Sequence, residues 1–532
     1  MPSPRAEPGR ELPYLLGLAV CGLLVITVFL SLEWRLTGGL AGVPLDDSWI
    51  HYRFADNLRS GQGFSFNPGI PTPGSTAPLW VILLSILGGG FLVPSKVVGI
   101  LAYLACGLLV YRLALKVSGA RAVAFLAGLG TLFAGRMAWA APSGMETTAF
   151  TALSLLALAS WGGSRPGMIS PWTSLAFGLA CLLRPEGYLL LPLSGMDYLL
   201  RVRRPAWGSL FPVLKPLLRH LLIAGLVVSP YLLFSLLTTG RPLPNTFYAK
   251  SAIWGCQSGT RYFLWVGSVF LLDNPVMAVL AVPGIAAAAW SRQWRARPAV
   301  TLGGAWLVSL LVFYGLLAPC ISGYYTRYTT PLIPVVMIFA GLGGLEIEKR
   351  LRAWLAAVEV PRWKPEAAAR LVRLLMVEGV LLGLVPALLF WAAYYGRSVA
   401  DIAEMHLRTG QWLAEHTRPG DVLALNDIGA IGSTADREVI DLMGLTSPEV
   451  LEIISGKGPG EWDGALAGYL ASRRPDYLVI FPNWFPGLAP QLPARQVYRV
   501  QLPPRQIAGI PGITVAGGGE MVVFRLDWSG ER

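Results

Sequence analysis

Long apolar runs separated by short polar segments occupy the chain up to Tyr395. A run of roughly 20 apolar residues is long enough to cross a bilayer as a helix. The pattern therefore predicts a polytopic α-helical membrane protein with about eleven membrane-spanning helices. The predicted spans cover residues 12–32, 97–116, 121–140, 147–161, 171–184, 187–200, 219–238, 262–290, 300–318, 331–345 and 372–395.

The basic residues predict the orientation of these spans, because Lys and Arg collect on the cytoplasmic side of membrane proteins. With the N-terminus inside, the main basic clusters all fall in cytoplasmic loops, within residues 112–121, 201–219, 292–297 and 349–373. This orientation requires that the apolar stretch 79–92 does not cross the membrane. The "LGGG" end of that stretch suits a helix that inserts halfway or lies on the surface.

The pattern changes after residue 395. "VLALNDIGAIG", "REVIDLMGL" and "DYLVIFP" predict short buried strands, and "IAEMHLRTGQWLAEHT" predicts an amphipathic helix that ends at a Pro-Gly turn. We therefore expect a membrane domain over residues 1–395, including a first outer loop over 33–96, followed by a soluble extracytoplasmic α/β domain over residues 396–532. Within the second domain, capping of strand ends is the favoured interpretation of Asn426, Asp427 and Asp441.

Composition supports a membrane protein and narrows its partners. Hydrophobic residues make up 54% of the chain and charged residues 14%, and the mean hydropathy is +0.53. The net charge is +12, but the basic residues lie between apolar runs and not on one exposed face, so no nucleic acid partner is expected. The five cysteines lack any C-x-x-C spacing, which indicates neither a zinc site nor a disulfide framework.

Asp46 and Asp47 form the most informative polar feature of the chain. Two adjacent carboxylates beside lipid are costly unless they are solvated, paired or functional. A single Asp would suffice to cap a helix, so the pair favours a function. Because Ile50, Phe54 and Leu58 recur at helical spacing, we expect a helix that lies in the membrane interface with the pair at its N-terminal end.

Further polar residues collect at the predicted outer ends of the spans. Arg184 in "LLRPEG" has two interpretations that stay open. It forms a local ion pair with Glu186 that supports a tight turn, or it binds a phosphate, since a guanidinium stays charged and can bind two oxygens at once. The other candidates are Glu146 in "SGMET", Arg241, Asn245, Tyr248 and Lys250 in "TTGRPLPNTFYAK", and Tyr325, Arg327 and Tyr328 in "SGYYTRYTTPLIP".

Several of these segments resemble the C-type (GT-C) membrane glycosyltransferases, namely "LDDSWIHYRFADNLRSGQGFSFNPG", "SGMET", "LLRPEG", "LPNTFYAK" and "NDIGAIG…REVIDLMGL". The chain looks similar to the actinobacterial terminal arabinofuranosyltransferases and, more distantly, to protein O-mannosyltransferases and lipid A aminoarabinose transferases. The resemblance covers most of the chain and implies the GT-C fold. It also implies transfer of a sugar from a polyprenyl-phosphate donor, on the outer face of the plasma membrane, to a hydroxyl of a cell-envelope glycan, lipid or protein.

The same resemblance implies roles for individual residues. Asp46 and Asp47 match the acidic pair of the superfamily, so one of them is expected to be the catalytic base of an inverting transfer. His51 departs from the pattern of the superfamily at this point. The expected ligands of the donor phosphate are His51, Arg53, Arg184, Lys250 and Arg327, and the residues expected to contact or support the acceptor are Glu146, Glu186, Asn245, Tyr248 and Tyr328.

Alternatives remain open at this level. Asp46, Asp47 and Glu146 could instead hold a divalent cation, Mg²⁺ or Mn²⁺, that binds the donor phosphate. No nucleotide cofactor is expected, in agreement with the lack of a P-loop and of a dinucleotide glycine pattern. The rival functions are a transporter or flippase of polyprenyl-linked sugars, whose charges would lie near the membrane midplane, and a noncatalytic scaffold that binds glycan.

Overall fold

The computed structural model describes residues 8–163, 168–202, 210–252, 260–291, 297–317, 327–357, 365–503, 506–507, 510–511 and 515–530. Tyr325 and parts of three predicted basic clusters, residues 203–209, 292–296 and 358–364, lie outside the described residues. The part of the chain up to Asp401 has only helices as its described secondary-structure elements. Its helices are Pro8–Leu36, Asp46–Arg59, Pro78–Leu87, Leu92–Ser118, Arg121–Phe133, Gly135–Ala140, Thr147–Trp161, Pro171–Leu183, Leu190–Arg201, Leu210–Thr239, Asn245–Ala252, Thr260–Asp273, Pro275–Trp290, Pro298–Val312, Ile333–Ala357 and Pro365–Asp401.

Six helices of the described chain are long and apolar enough to cross a membrane, and a seventh span arises if one bent helix pair counts as a single crossing. That pair, Arg261–Asp273 and Pro275–Trp290, is bent by 120°. Asn274 begins the second helix of the pair, since its side chain accepts a hydrogen bond from the Met277 backbone N–H. The prediction of a polytopic membrane protein is therefore confirmed.

Each of the eleven predicted spans coincides with a helix or a pair of helices, but several of these helices are short. Arg121–Phe133, Thr147–Trp161 and Pro171–Leu183 have 10–17 residues each, fewer than a bilayer crossing normally uses. The predicted non-crossing stretch 79–92 forms the ten-residue helix Pro78–Leu87. At 1.5 Å per residue this helix is about 15 Å long, half the thickness of the hydrocarbon layer.

Charged groups inside the helix bundle occur as ion pairs. The Lys96 ammonium lies 2.6 Å and 2.8 Å from the two carboxylate oxygens of Glu33. Arg136 lies 2.7 Å from Asp273, and both side chains are almost fully buried. An unpaired charge in hydrocarbon would be far more costly, so pairing makes these four charged residues tolerable in the bundle.

The C-terminal domain contains the strands β1 (Val422–Leu425), β2 (Glu438–Asp441), β3 (Tyr477–Ile480), β4 (Ala494–Gln501), β5 (Gln506–Ile507), β6 (Ile510–Pro511) and β7 (Glu520–Leu526). Five of them form a sheet with the order β2–β1–β3–β7–β4. Strands β1, β2 and β3 are parallel, whereas β7 runs antiparallel to β3 and β4. All four residues of β3 are buried, as its apolar sequence "YLVI" requires, while β4 exposes most of its polar residues at the sheet edge.

The predicted α/β class of this domain and its first three strands are confirmed. Strands β4 to β7 were not predicted. The domain's helices are Arg408–His416, Gly429–Ala435, Pro448–Ile454 and Pro459–Arg473. The helix Pro365–Asp401 continues through a π-helical turn, Ile402–Leu407, directly into Arg408–His416, so that an uninterrupted helical rod joins the membrane bundle to the sheet.

The expected caps in the sheet domain are found for two of three residues. The Asp441 carboxylate accepts hydrogen bonds from the backbone N–H groups of Met443 and Thr446 at 2.9 Å and 2.6 Å. The Asn426 side chain accepts one from the N–H of Phe481. Asp427 instead lies 2.8 Å from Nε2 of His406, on the π-helical turn.

The helix Asp46–Arg59 lies between the bundle and the sheet domain and is buried on most sides. This differs from the expected helix in the membrane interface, which would leave one face polar and exposed. Burial extends to polar residues such as His51, Arg53 and Asn57. The helix thus belongs to the protein interior, and its first turn reaches both halves of the molecule.

A close helix contact in the bundle, at Gly284, generates a prediction about stability. A Cβ atom at Gly284 would lie 1.9 Å from the carbonyl oxygen of Phe339. Gly284→Ala therefore forces two helices apart, and we expect a loss of about 1–3 kcal/mol in the free energy of unfolding. Thermal unfolding in detergent measures this loss. Gly225→Ala is the control, because no atom lies within 4 Å of its Cβ position, and an equal loss in both variants would contradict the expected contact.

Candidate active site

A polar cavity lies where the helix Asp46–Arg59 meets the bundle and the sheet domain. Its wall combines acidic, basic and hydroxyl groups from segments far apart in the chain. These are Asp47, Ile50, His51, Gly74, Ser75, Thr76, Met145, Glu146, Arg184, Thr246, Lys250, Arg327, Tyr328 and Leu445. The cavity therefore brings together seven of the residues that sequence analysis singled out.

Asp47 occupies the centre of a three-membered charge cluster. Lys250 Nζ lies 3.2 Å from Asp47 Oδ2, and Arg327 donates a hydrogen bond to the same oxygen. Burial alone would raise the pKa of Asp47, but the two cations outweigh burial and hold it well below the usual range. Asp47 is therefore ionised, and its side chain is still 25% exposed to the cavity.

His51 lies one helical turn after Asp47, on the same face of the helix, and contacts Glu146. Its Nδ1 lies 3.2 Å from Ser75 Oγ, and its Nε2 lies 3.3 Å from Glu146 Oε2. The His51 side chain is only 6% exposed and the Glu146 side chain 2%. Burial alone would raise the pKa of Glu146, but Arg184 and His51 lower it to about 2. Glu146 is thus an ionised partner of a cation and an imidazole.

Arg184 is held by carboxylates on two sides. Its guanidinium donates two hydrogen bonds to Glu186 Oε1 at 3.0 Å and 2.8 Å, and one each to Glu146 Oε1 at 2.7 Å and Thr147 Oγ1 at 3.2 Å. The ion-pair interpretation of Arg184 and Glu186 is therefore realised in the structure. The Arg184 guanidinium also lies 5.1 Å from the centre of the Tyr328 ring, and the Arg327 guanidinium lies 5.0 Å from the centre of the same ring.

Asp46, the other member of the acidic pair, does not line the cavity. Its two carboxylate oxygens accept hydrogen bonds from the backbone N–H groups of Gly429 and Ala430, both at 2.7 Å. Burial and the nearby Asp427 raise the pKa of Asp46 to about 7, against the opposite effects of His406 and the two N–H groups. The structure therefore gives Asp46 a place in the contact between the two domains, which corrects its expected position beside Asp47.

Four further predicted site residues also lie outside the cavity wall. Arg53 donates hydrogen bonds to the carbonyl oxygens of Phe66 and Gly432 and pairs with Asp436, so it fastens the helix to the sheet domain. Glu186 acts on the cavity only through Arg184. Asn245 and Tyr248 belong to the helix that carries Lys250, where the Asn245 amide donates to the carbonyl oxygen of Gly444 and the Tyr248 ring lies 5.3 Å from the Arg241 guanidinium.

The predicted metal ligands do not share a site. Asp46 accepts hydrogen bonds from backbone N–H groups, Asp47 pairs with two cations, and Glu146 pairs with Arg184 and His51. Within the described residues no three His, Cys, Asp or Glu side chains are arranged to hold a metal ion. The carboxylates of this expected set therefore do not fit one divalent cation.

A second, more apolar cavity adjoins the first through Met145 and Arg327, which line both. Its other walls are mainly aromatic and apolar, with Arg136 as a further charged residue. Sequence analysis missed this cavity, although Arg136 and Asp273 inside predicted spans were a usable signal. The remaining lining residues are Leu45, Trp139, Ala140, Thr147, Thr330, Trp391 and Tyr394.

Comparison with solved structures identifies the fold. The chain is similar to ArnT from Cupriavidus metallidurans in the apo state, with 17% identity and a TM-score of 0.56 over 94% of this chain and 97% of that chain. The same enzyme bound to undecaprenyl phosphate gives 16% identity and a TM-score of 0.57 over the same shares. The chain has the GT-C fold. The more specific resemblance to actinobacterial arabinofuranosyltransferases stays a prediction.

A third similar structure is the oligosaccharyltransferase of Archaeoglobus fulgidus in complex with Zn and sulfate, with 12% identity and a TM-score of 0.52. That match covers 86% of this chain and 67% of the other. At the level of sequence, a family model described as a domain of unknown function, DUF8728, matches residues 397–523. A comparison with curated proteins found no match.

The Arg184 cluster generates a prediction about stability. Arg184→Met leaves Glu146 and Glu186 buried without their main cation, so we expect a loss of about 3–5 kcal/mol in the free energy of unfolding. The matched control is Arg350→Met, which removes an exposed arginine from an ion pair with Glu346 and should cost less than about 1 kcal/mol. Thermal unfolding in detergent compares them. Similar losses in the two variants would contradict a structural role for Arg184.

The raised pKa of Asp46 generates a prediction about pH. The folded protein keeps a proton on Asp46 up to a pH of about 7, whereas an unfolded Asp loses it near pH 4. The resulting stabilisation is complete below about pH 4 and is lost as the pH rises through about 7. We expect the melting temperature to fall less between about pH 5 and about pH 8 in Asp46→Asn than in the wild type.

The control for this measurement is Asp56→Asn, which changes an exposed residue of the same helix. It should keep the pH dependence of the wild type. The measurement is the melting temperature of the wild type, Asp46→Asn and Asp56→Asn at each pH. If the melting temperature of Asp46→Asn falls with pH as steeply as that of the wild type, Asp46 does not titrate in this range.

Proposed function

We propose that this protein is a membrane glycosyltransferase that moves a sugar from a polyprenyl-phosphate donor to a hydroxyl of an extracytoplasmic acceptor. The observation that carries the proposal is the cluster of Asp47, Lys250 and Arg327 in the cavity wall. It combines a carboxylate that can accept a proton with two cations that can bind a phosphate. The GT-C fold supports the proposal, because ArnT with this fold binds undecaprenyl phosphate.

The two cations are the groups that would bind the donor phosphate. In the structure both point to one oxygen of Asp47, which is a single acceptor shared by two strong donors. A phosphodiester offers two non-bridging oxygens that share one negative charge, and it would compete for both cations. Once Lys250 and Arg327 bind the phosphate, the charges that hold down the pKa of Asp47 act on another anion, and its pKa rises.

Donor binding thereby prepares Asp47 to act as the base. The acceptor hydroxyl gives its proton to Asp47, and its oxygen forms a bond to the anomeric carbon of the sugar. The bond from that carbon to the phosphate oxygen breaks, and its electron pair leaves with the polyprenyl phosphate. Lys250 and Arg327 stabilise the additional negative charge on the departing phosphate. A single displacement of this kind inverts the anomeric configuration.

The second cavity adjoins the phosphate-binding cations through Arg327, and its apolar and aromatic walls lie between helices of the membrane bundle. It has room for only about one water molecule, so we assign to this apolar wall only the part of the donor lipid next to the phosphate. The other proposed ligand, His51, lies one helical turn after Asp47 and contacts Glu146, where it can orient a sugar or acceptor hydroxyl.

The orientation is proposed together with the function. With the N-terminus in the cytoplasm, the polar cavity and the sheet domain lie outside the plasma membrane, where polyprenyl-linked sugars are used. The acceptor is then a glycan, lipid or protein of the cell envelope. The distribution of basic residues between the spans supports this orientation.

The experiment is an assay of the purified protein in nanodiscs with a panel of polyprenyl-phosphate sugars. Donor consumption is measured for the wild type, Asp47→Asn and Asp56→Asn. We expect Asp47→Asn to lower kcat by about 100-fold or more, which is the usual contribution of a general base. Asp56→Asn should keep the activity of the wild type, since Asp56 is exposed on the same helix and does not line the cavity.

Two outcomes would reject the proposal. Full activity of correctly folded Asp47→Asn would show that Asp47 is not the catalytic base. Movement of lipid-linked sugar across the membrane without turnover, unchanged by Asp47→Asn, would favour a flippase instead.

A further inference from the structure

A third cavity lies between membrane helices and has a volume of about 170 Å³. Its lining is apolar except for Glu348 and Arg373, and we call it the apolar groove. An apolar cavity of about 150 Å³ accepts a benzene molecule, so the groove has room for about six carbon atoms of a hydrocarbon chain. Its walls come from the helices Arg121–Phe133, Pro275–Trp290, Ile333–Ala357 and Pro365–Asp401.

The apolar groove is open towards the outside of the helix bundle. Ala122, one of its lining residues, is exposed, and the lining residues Val123, Gly344 and Met376 are only half-buried. A Cβ atom at Gly344 would have Met376 Sδ as its nearest neighbour, at 4.0 Å. Space therefore remains beside this glycine, and a hydrocarbon chain can enter it from the side.

Arginines surround one end of the groove. Arg373 donates hydrogen bonds to both carboxylate oxygens of Glu348, and Arg352 donates one to the same carboxylate. Arg352 lies one turn after Glu348, and Arg370 lies one turn before Arg373, so both continue the groove-lining faces of their helices. With Glu366 one further turn away, three arginines of the described chain stand against two glutamates. The Arg373 side chain is 52% exposed, so this excess of positive charge is accessible to an anion.

The charged end of the groove coincides with the end of a membrane span. The candidate span of the last bundle helix begins at Arg373. The same helix contributes Trp391 to the second cavity beside the candidate active site, about 27 Å further along its axis. This distance is close to the thickness of the hydrocarbon layer. The arginines therefore lie at the membrane surface opposite to the candidate active site.

We propose that the apolar groove binds an anionic phospholipid, with one acyl chain in the groove and the phosphate at Arg370 and Arg373. A guanidinium has five N–H groups, so Arg373 can bind a phosphate while two of them stay on Glu348. Basic pockets between membrane helices are known to recognise anionic lipid head groups. The bound lipid joins the four helices of the groove. It is not a substrate of the proposed transfer, and the inference does not depend on that function.

The test measures lipid binding to the delipidated full-length protein in detergent by native mass spectrometry. The probe is dioleoyl phosphatidylglycerol. The comparison lipid is dioleoyl phosphatidylcholine, which has the same acyl chains and no net charge. We expect the first phosphatidylglycerol to bind about 30-fold more tightly than phosphatidylcholine, because two arginines each contribute to binding of the anionic head group.

Two variants alter the two parts of the site separately. Gly344→Phe fills the groove, so we expect it to weaken binding of phosphatidylglycerol by about 10-fold or more, since the acyl chain loses its apolar surroundings. The double variant Arg370→Gln/Arg373→Gln removes the positive charges. It should reduce the affinity for phosphatidylglycerol to about that for phosphatidylcholine.

Each variant has a matched control that should keep the affinity of the wild type. Gly225→Phe adds the same side chain to an exposed glycine of another membrane helix, where no atom lies within 4 Å of the Cβ position. Lys349→Gln/Arg350→Gln removes two exposed positive charges from the same region of the protein that do not line the groove.

A second measurement uses the wild type alone and does not depend on the folding of a variant. Phosphatidylglycerol with a photoreactive diazirine in the middle of one acyl chain is irradiated with the protein. We expect it to label peptides that contain Leu345 or Met376, which line the groove, more strongly than the peptide that contains Gly225. Unlabelled phosphatidylglycerol in excess should suppress this labelling.

Three results would overturn the proposal. The first is equal binding of the two lipids, or unchanged binding in Gly344→Phe together with labelling outside the groove. The second is suppression of the labelling by inorganic phosphate alone, which would indicate an ion site at the arginines and not a lipid site. The third is tighter binding of undecaprenyl phosphate than of phosphatidylglycerol in the same groove, which would assign the groove to the proposed donor.

Discussion

The first turn of the helix Asp46–Arg59 joins the two halves of the protein, and the geometry of the cavity depends on it. Successive residues of a helix point about 100° apart, so Asp46 and Asp47 cannot face the same partner. Asp46 accepts hydrogen bonds from backbone N–H groups at the start of the helix Gly429–Ala435. Asp47 forms ion pairs with Lys250 and Arg327 of the membrane domain. One helical turn thus sets the distance between the sheet domain and the cation cluster.

The charged groups of the cavity wall, together with Glu186 behind Arg184, carry no excess of either sign. Asp47, Glu146 and Glu186 face Lys250, Arg184 and Arg327, and every one of these groups has an oppositely charged neighbour. In a partly desolvated place such balance avoids the high cost of an uncompensated ion. It also means that a phosphate can be bound only by taking cations away from a carboxylate. Under the proposed function, this exchange couples donor binding to the basicity of Asp47.

The general architecture could be predicted from the sequence because apolar runs, basic clusters and three buried strands are local signals. The same holds for the contacts of Arg184 with Glu186, two residues apart. Contacts such as Lys250 and Arg327 with Asp47 join residues more than 200 positions apart, and only their type and predicted side of the membrane were visible in the sequence.

The separation of Asp46 from the cavity was not visible in the sequence for a different reason. The sequence pattern presented two carboxylates as one unit, although helical geometry alone separates adjacent side chains. The role of Arg53 was missed for a related reason, since its partners Gly432 and Asp436 belong to a domain whose position no local pattern describes. Leu445 carried no signal, because an aliphatic residue after a strand is ordinarily assigned to a core.

The contribution of the sheet domain to the cavity also has a consequence for the biogenesis of the protein. Synthesis proceeds from the N-terminus, so Asp47 leaves the ribosome long before Lys250, Arg327 and finally Leu445. Until the last of these segments has folded against the helix Asp46–Arg59, the nascent chain has a membrane-bound helix bundle with an open, incomplete cavity. The site is therefore assembled only after the sheet domain has been synthesised and has folded against the helix bundle.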